Sequence, residues 1–302
     1  MTDSRHLRVF RGVPTRRLAI VAHGAAALTA AELAAVRQAS NDGSSPRLGP
    51  RFHKLKPQFL KHSEEQTLAA LVAASAALDQ HGLVIDFDQW AIVSSTRYLA
   101  REAFAAVIDK YQVDGPWGVS VQAIPHGTPH AAASTLSMAL GIHGPCIGVG
   151  VAAGDESQAL LSAAGLLQNP RWIGAWLLFS AWSSRPSLQF GSDATADSTC
   201  IAAALAVINP ELHLPAKVPV LGHIEFRVGQ DATYPSSTEH EARVASALTE
   251  FFVGWGQAAD PWRGHAGAEL QIAIGRDDSC IAGHVGQSEH SHDDLSQQVR
   301  AA

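Results

Sequence analysis

Short apolar segments alternate along the chain with longer Ala-rich segments, and this alternation predicts the secondary structure. Apolar runs at 89–94, 172–181 and 201–208 have the length and continuity of buried strands. The Ala-rich segments 63–79 and 131–140 place apolar residues at helical spacing. Strands that alternate with such helices indicate an α/β layered domain, in which a mixed β-sheet packs against Ala-rich helices.

Local signals predict where several helices begin and end. Thr29 followed by Glu32 has the spacing of a capping box, which predicts a helix that begins at Thr29. Ser63 and Gln66 predict a second capped start, and Gly82 predicts the end of that helix. The other predicted elements are strands at 18–22, 146–153, 221–228 and 270–274 and helices at 97–111, 155–167 and 239–252.

Length and composition limit the class of protein. The 302 residues, of which 46% are apolar, suit one domain over 1–285 followed by a polar, disordered tail over 286–302. The 22 Lys and Arg against 28 Asp and Glu give a net charge of −6, which excludes a general nucleic-acid binder. Three Cys cannot form a disulfide framework, which favours the cytoplasm, and no apolar run is long enough to cross a membrane.

The most distinctive stretch is a loop, a helix, a turn and a strand in succession. The loop reads Pro125-His-Gly-Thr-Pro-His130, and it leads into the Ala-rich helix at 131–140. A Leu-Gly-Ile-His-Gly-Pro turn follows at 140–145, and then comes the short strand from Cys146. This order resembles the N-terminal half of β-ketoacyl synthases in the thiolase superfamily, over roughly residues 50–210. The resemblance implies a thiolase-like layered fold, of which this shorter chain holds only one complete half.

The resemblance also implies where the nucleophile of an active synthase would fall. Such enzymes use a cysteine thiolate at a helix N-terminus, where the helix dipole lowers its pKa and backbone N–H groups hold the oxyanion. If Gly144-Pro145 corresponds to the family's Gly-Pro, that position is Ala153, and a methyl group cannot accept an acyl chain. Cys146 lies at the beginning of the strand, where the family has a small non-catalytic residue. We therefore expect no catalytic residue.

The histidines of an active synthase have no clear counterpart either. Members of the family supply a His-Gly-Thr-Gly-Thr-like histidine and a further histidine from the C-terminal half. Here His126-Gly-Thr128 precedes the predicted strand-to-helix elbow instead of following it, and the segment 263–267 lacks the threonines. The resemblance thus implies a chain that has lost its own chemistry.

Several residues remain candidates for a pocket or an interface. His126 and His130 line the acyl pocket in one interpretation, and in the other they are loop histidines satisfied by backbone hydrogen bonds. Pro129 interrupts their i, i+4 spacing and no Glu or Cys accompanies them, so we expect no metal and no cofactor. First-turn carboxylates at 155–156 suit the helix dipole. The full set of pocket or interface candidates is His126, Thr128, His130, Ser134 and Cys146.

The resemblance implies a non-catalytic subunit similar to a chain-length factor. Such a subunit forms a heterodimer with an active ketosynthase in fatty acid, polyketide or aryl-polyene biosynthesis. The helix at 131–140 and the strand at 146–152 would form the interface, and an acyl carrier protein would bind transiently, with the Arg-rich segment 5–17 as one possible contact. Two alternatives remain open. One is a thiolase-like acyltransferase or hydrolase with another nucleophile and with His126 or His265 as base, and the other is an unrelated α/β interaction module.

Overall fold

The computed structural model describes most of the chain between residues 16 and 276 in separate ranges. The described ranges are 16–38, 48–52, 55–83, 85–97, 101–120, 126–149, 156–183, 199–212, 218–228, 247–255, 262–266 and 270–276. The strands are β1 (Arg16–Thr29), β2 (Trp90–Thr96), β3 (Cys146–Val149), β4 (Gly174–Trp182), β5 (Thr199–Ile208), β6 (Gly222–Val228), β7 (Trp262–Ala266) and β8 (Leu270–Arg276). The helices are α1 (Ala30–Gln38), α2 (Pro57–His62), α3 (Glu65–His81), α4 (Arg101–Asp114), α5 (Ala131–Leu140), α6 (Glu156–Leu166) and α7 (Ala247–Val253), with 3-10 turns at Pro50–Phe52 and Pro116–Gly118.

The eight described strands form one mixed sheet with the order β3-β2-β4-β5-β1-β6-β8-β7. Strand β2 runs parallel to β3 on one side and to β4 on the other, whereas every other described pair is antiparallel. Parallel neighbours need crossover connections, and α4 with α5 joins β2 to β3, while α6 joins β3 to β4. The single mixed sheet agrees with the expected α/β layered fold and with one complete half of a two-half fold.

Helices cover both faces of this sheet, because successive strand residues point to opposite sides. In β2, Trp90 and Ile92 enter the core that α3 and α5 cover. Ala91 and Val93 enter the second core, which α6 and α7 cover. The result is a three-layer arrangement in which the central strands are buried on both faces, as their continuous apolar runs predicted.

Small residues allow α3 to lie very close to the sheet. At Gly24 in β1, an added Cβ would lie 2.2 Å from the carbonyl oxygen of Ala73 and 2.3 Å from the amide nitrogen of Ala77. No side chain fits between the two backbones there. The alanines of β1 also pair with alanines of β5, so the same small residues line both strands beneath α3.

The predicted helix starts are correct in one case and wrong in the other. At α1, the backbone N–H of Thr29 donates to Glu32 Oε2 at 2.8 Å, and the N–H of Glu32 donates to Thr29 Oγ1 at 3.4 Å, which confirms the capping box. At α3, the cap is Glu64, whose carboxylate accepts hydrogen bonds from the backbone N–H groups of Gln66 and Thr67. Ser63 Oγ instead donates to the carbonyl of the preceding helix, and the Gln66 side chain reaches β2.

Other elements extend or differ from the predictions. Strand β1 continues to Thr29, well beyond the predicted 18–22, and neither α2 nor β7 was predicted. Predicted features that lie outside the described residues include most of the Arg-rich segment 5–17, the strand end at 150–153, the beginning of the helix at 239–252 and the tail at 286–302. Among the described helices, none combines the length and apolar character that a membrane span requires.

Helix α4 departs from the expectation of a core helix. A helix of a layered domain is expected to bury one apolar face, yet Ile108 and Tyr111 are each 55% exposed. The main contact of α4 is with the 3-10 turn that follows it, where the Trp117 side chain is 97% exposed. An apolar stripe on the described part of this segment therefore faces outward, although helical periodicity normally marks a face that packs inward.

Candidate functional site

The candidate site lies at the carboxyl ends of the parallel strands β2, β3 and β4, the edge where open α/β sheets usually bind ligands. The predicted loop at 126–130 reaches this edge on the face that α3 and α5 cover. The hydroxyl of Ser94, near the end of β2, donates to the carbonyl oxygen of Pro129 at 2.7 Å. That hydrogen bond fixes the loop over the two outer parallel strands.

A very close backbone contact holds the same loop against β3. An added Cβ at Gly148 would lie 2.5 Å from the carbonyl carbon of Pro129 and 2.6 Å from the amide nitrogen of His130. Glycine is therefore the residue that this approach permits. The two contacts, through Ser94 and Gly148, join β2, β3 and the beginning of α5 into one unit.

The predicted loop residues gather here, but they do not form a catalytic arrangement. The His126 ring is half-buried and lies 6.1 Å, between ring centroids, from the ring of His62. His130 is exposed at the N-cap position of α5, and its side chain makes no capping hydrogen bond. The carbonyl of Thr128 accepts from the backbone N–H at the first position of α5. Ser134 Oγ donates to backbone carbonyls within its own helix, so this hydroxyl serves the helix.

The cysteines in the described part of the chain are poor nucleophiles. Cys146 is half-buried, and burial raises the pKa of its thiol, although a hydrogen bond with Ser137 opposes the shift. Its Sγ lies 3.8 Å from the carbonyl oxygen of Gly144. Cys200 is fully buried in β5, and burial, followed by the charges of two nearby glutamates, raises the pKa of its thiol further. Because the thiolate is the reactive form, neither sulfur is activated.

Ala153, the implied nucleophile position, lies outside the described residues, as does Asp155. The described chain resumes at Glu156, which begins α6. Glu156 was expected to be a first-turn carboxylate that interacts with the helix dipole, but it is 2% exposed and bonds to another element. Its Oε1 accepts a hydrogen bond of 2.5 Å from Thr249 Oγ1 in α7. The carboxyl group therefore connects two helices on the second face of the sheet.

Burial also changes the charge of this carboxyl group. It raises the pKa of Glu156 to about 7, while the hydrogen bond from Thr249 and the positive charge of Arg97 act in the opposite direction. Its Oε2 has no hydrogen-bond partner among the described residues. Near neutral pH, Glu156 is therefore divided between a proton-holding and a charged form, so it brings less negative charge to the helix start than the sequence implied.

Arg97 links the two faces of the sheet at the end of β2. Its side chain is only 8% exposed, and its guanidinium contacts Glu250 Oε1 of α7 at 2.6 Å. Its backbone carbonyl accepts from Gln66 Nε2 at 2.8 Å on the opposite face. Its backbone N–H donates to the carbonyl of Ser180 in β4 at 2.9 Å. One residue thus connects α3, β4 and α7.

Sequence analysis missed a set of polar residues at this edge. Polar residues interrupt otherwise apolar runs at the ends of β2 and β4, and this interruption is the signal that could have found them. The residues of this set, all fully buried, are Gln66, Thr67, Thr96 and Ser180. Within the described ranges, no group of three or more His, Cys, Asp or Glu is arranged to hold a metal ion.

Comparison with known proteins identifies the fold. No protein-family model matches the chain, and no curated protein matches its sequence. Its structure is similar to the ishigamide ketosynthase/chain length factor, with a TM-score of 0.54 and 16% identity over 85% of this chain and 98% of that chain. It is also similar to the AntDE:AntF complex, a type II PKS acyl-carrier protein in complex with its ketosynthase bound to the hexaketide. That likeness has a TM-score of 0.55 and 11% identity over 87% of this chain and 99% of that chain.

These likenesses show the fold of the chain. It has the layered fold of these ketosynthase structures, as the resemblance in the sequence implied. The alternative of an unrelated α/β fold is therefore wrong. The activity, substrate and partner are questions of the site, because one fold supports many functions.

Proposed function

We propose that this chain is a non-catalytic, chain-length-factor-like subunit that forms a heterodimer with an active β-ketoacyl synthase. In this proposal the partner carries the acyl chain and performs the condensation, and this chain stabilises the partner and shapes the acyl tunnel. An acyl carrier protein binds the assembled pair transiently. The similar structures are described as a ketosynthase/chain length factor and as a ketosynthase with its acyl-carrier protein, which supports such an assembly.

The observation that carries the proposal is the outer edge of β3. This strand is the end of the sheet, and it pairs only with β2 among the described strands. Its sequence, Cys-Ile-Gly-Val, has no charge and no proline. Proteins usually protect an exposed strand edge with charged residues or proline, because the unpaired N–H and C=O groups of such an edge pair readily with another chain. An unprotected edge therefore suits strand pairing with a partner subunit.

Helix α5 extends this surface beside β3. Its inward residues are small or apolar and pack in the core, while Met138 is 43% exposed on its outer side. The helix is built almost wholly from Ala, Ser, Thr and Leu, so a partner can approach its backbone closely. A small, uncharged helix next to an open strand edge has the composition of an interface core, where charged residues are depleted.

The outward face of α4 is a second exposed apolar surface in the described part of the chain. The segment that contains it leaves the sheet at the end of β2 and returns at the loop that packs on β3. Ile108, Tyr111, Val113 and Trp117 are all more than half exposed. An exposed apolar helix face of this kind is typical of an interaction site, and in this proposal the partner covers it.

The chemistry of the described residues supports a silent subunit. Neither Cys146 nor Cys200 is activated, since burial raises the pKa of both thiols. The sequence has alanine at position 153, where the family resemblance implies the nucleophile. The predicted pocket residues His126, Thr128, His130, Ser134 and Cys146 would then serve the tunnel or the interface through shape and hydrogen bonding.

Hydrogen exchange tests this proposal at the strand that carries it. The chain is mixed with the ketosynthase tested as its partner, and amide exchange is compared with that of the isolated chain. We expect new protection over Cys146–Val149 and α5. The matched internal control is β7, the strand at the opposite end of the sheet, whose exchange should not change. Equal exchange at β3 with and without a ketosynthase that binds the chain would refute the proposed interface.

A further inference from the structure

We propose that four buried side chains at the carboxyl ends of β2 and β4 bind one internal water molecule. The oxygens concerned are fully buried and have no hydrogen-bond partner among the described residues. Their residues are between 0% and 1% exposed. The four atoms are Gln66 Oε1, Thr67 Oγ1, Thr96 Oγ1 and Ser180 Oγ.

The fold brings Gln66, Thr96 and Ser180 to one edge of the sheet, and Thr67 follows Gln66 in α3. Thr96 and Ser180 are register partners in the parallel pair β2–β4, and both lie on the face of the sheet that α3 covers, as the alternation of Ile92 and Leu178 into that core requires. Gln66 Nε2 donates to the carbonyl of Arg97, the residue directly after Thr96. That hydrogen bond sets the Gln66 amide over the end of β2, with Thr67 next to it in the first turn of α3.

A dry arrangement of these four groups would be costly. Burying a hydroxyl or an amide oxygen without a hydrogen bond destabilises a protein, and native structures avoid it almost everywhere. The groups near them are already engaged. The free N–H groups at the start of α3 donate to Glu64, and the carbonyls of Arg97 and Ser180 accept bonds from Gln66 and from the Arg97 N–H. A further molecule bound between them would satisfy these groups.

The hydrogen-bonding capacity of the set fits water. Gln66 Oε1 only accepts, so it needs a donor, whereas three hydroxyl groups can each donate or accept. A water molecule can donate to Gln66 Oε1 and to one hydroxyl and can accept from the other two hydroxyls, which uses its whole capacity. Buried waters typically make about three such bonds. A monovalent cation would satisfy the oxygens, but it would leave the hydroxyl protons without acceptors.

Such a water would help to hold the elements of the candidate site in place. It would tie the first turn of α3 to the ends of β2 and β4, where Arg97 connects the two faces of the sheet. The inference is independent of the proposed function, because it concerns only the interior of this chain.

The test combines a high-resolution crystal structure of the full chain with hydroxyl deletions. We expect density for a water within hydrogen-bond distance of at least three of the four oxygens. Thr96→Val and Ser180→Ala should each lower Tm by about 2–6 °C, because each removes one partner of a fully bonded water. Their effects should not add in the double variant, since both act on the same water. Thr96→Ser keeps the hydroxyl and should restore most of the loss.

The control is Thr135→Val, which removes a buried hydroxyl that already donates to a helix carbonyl at 2.8 Å. It measures the cost of exchanging a hydroxyl for a methyl group away from the cluster. If the cluster is dry, Thr96→Val relieves an unmet desolvation cost and raises Tm, and the crystal shows no water. That result overturns the inference. A rubidium peak at the cluster in crystals soaked with that ion would overturn it as well, in favour of a cation site.

Discussion

Glu156 and Thr249 are 93 residues apart in the sequence, yet the Thr249 hydroxyl donates to the Glu156 carboxyl group at 2.5 Å. This hydrogen bond joins the first turn of α6 to α7 beneath the sheet. Next to it, Arg97 at the end of β2 pairs with Glu250 of α7. A short helix that packs on the second core is thus held by one buried hydrogen bond and one ion pair, both close to the candidate site.

The first prediction concerns the charge of Glu156. Burial raises the pKa of this carboxyl to about 7 in the folded state, from 4.5 otherwise. The contribution of protonated Glu156 to the stability of the folded chain is complete below the unfolded-state pKa. It is lost as pH rises through 7, because folding then buries a charge. Glu156→Gln keeps an acceptor for Thr249 and has no charge, so it should stabilise the chain at pH 8 by up to about 3 kcal/mol. Urea denaturation at pH 5 and pH 8 measures the effect.

Glu250→Gln is the matched control for Glu156→Gln. It removes the carboxylate that pairs with the buried Arg97 guanidinium, so it should destabilise the chain at both pH values by about 1 kcal/mol, given the partial exposure of Glu250. Opposite signs for the two Glu→Gln substitutions at pH 8 are the expected pattern. A Glu156→Gln protein that is less stable than the native chain at pH 8 would show that the buried charge is compensated.

The second prediction concerns His23, which responds to pH in the opposite direction. Burial lowers the pKa of His23 to about 4, although its hydrogen bond to the carbonyl of Phe252 at 2.6 Å favours the charged form. The contribution of neutral His23 to the stability of the folded chain is present above pH 6.5 and is lost as pH falls toward 4. His23→Gln can still donate to Phe252, so its stability should fall less steeply over this range. Identical acid limbs for the two proteins would contradict the assignment.

Between about pH 4.5 and 7 the contributions of these two groups to the free energy of unfolding have opposite slopes and largely cancel. Each single substitution should expose the slope of the other group. Glu156→Gln should make the chain more sensitive to acid, and His23→Gln should make it more sensitive to base. The measurement is the free energy of unfolding against pH for the three proteins.

The third prediction compares two glycines. Gly148→Ala would place a Cβ within 2.6 Å of the backbone of Pro129 and His130, so the loop must move, at a cost of about 1–3 kcal/mol. Gly165→Ala in α6 meets nothing within 4 Å and should be neutral or stabilise the helix by about 0.5–1 kcal/mol. Thermal unfolding separates the two. Equal Tm values would show that the loop at 126–130 is not held against β3.

The fourth prediction tests the proposed partner surface without disturbing the fold. Met138 on α5 and Leu212 after β5 are exposed to a similar degree, 43% and 45%. Met138→Glu should weaken ketosynthase binding by tenfold or more, because a carboxylate would have to be desolvated in an apolar interface. Leu212→Glu should leave binding unchanged. The readout is the Kd of each variant for the partner, and equal losses would place the interface elsewhere.

The sequence predicted best what neighbouring residues decide. The capping box of Thr29 and Glu32 and the left-handed glycines that end α3 and α5, Gly82 and Gly141, are local features, and all were visible in the sequence. The buried strands β4 and β5 followed from their continuous apolar runs. The order of these elements was enough for the layered fold and for its ketosynthase resemblance.

Long-range packing decided the rest. The Ala-rich second half of β1 has helical propensity, but pairing with β5 and the close approach of α3 at Gly24 make it a strand. Glu64 caps α3 in place of Ser63, whose hydroxyl is engaged by Phe59. The contact between Glu156 and Thr249 joins residues too distant in sequence for any pattern to connect them. The buried polar ends of β2 and β4 depend on the same tertiary arrangement.

The most direct test of the proposal that this chain is a non-catalytic subunit is an acyl-transfer assay with each protein alone and with the two together. This chain, the ketosynthase tested as its partner and the mixture are each incubated with acyl and malonyl thioesters of the carrier protein, and intact-protein mass and product are measured. We expect a covalent acyl adduct only on the ketosynthase and condensation only in the mixture. An acyl adduct on this chain by itself, lost when one of its own nucleophiles is replaced, would contradict the account.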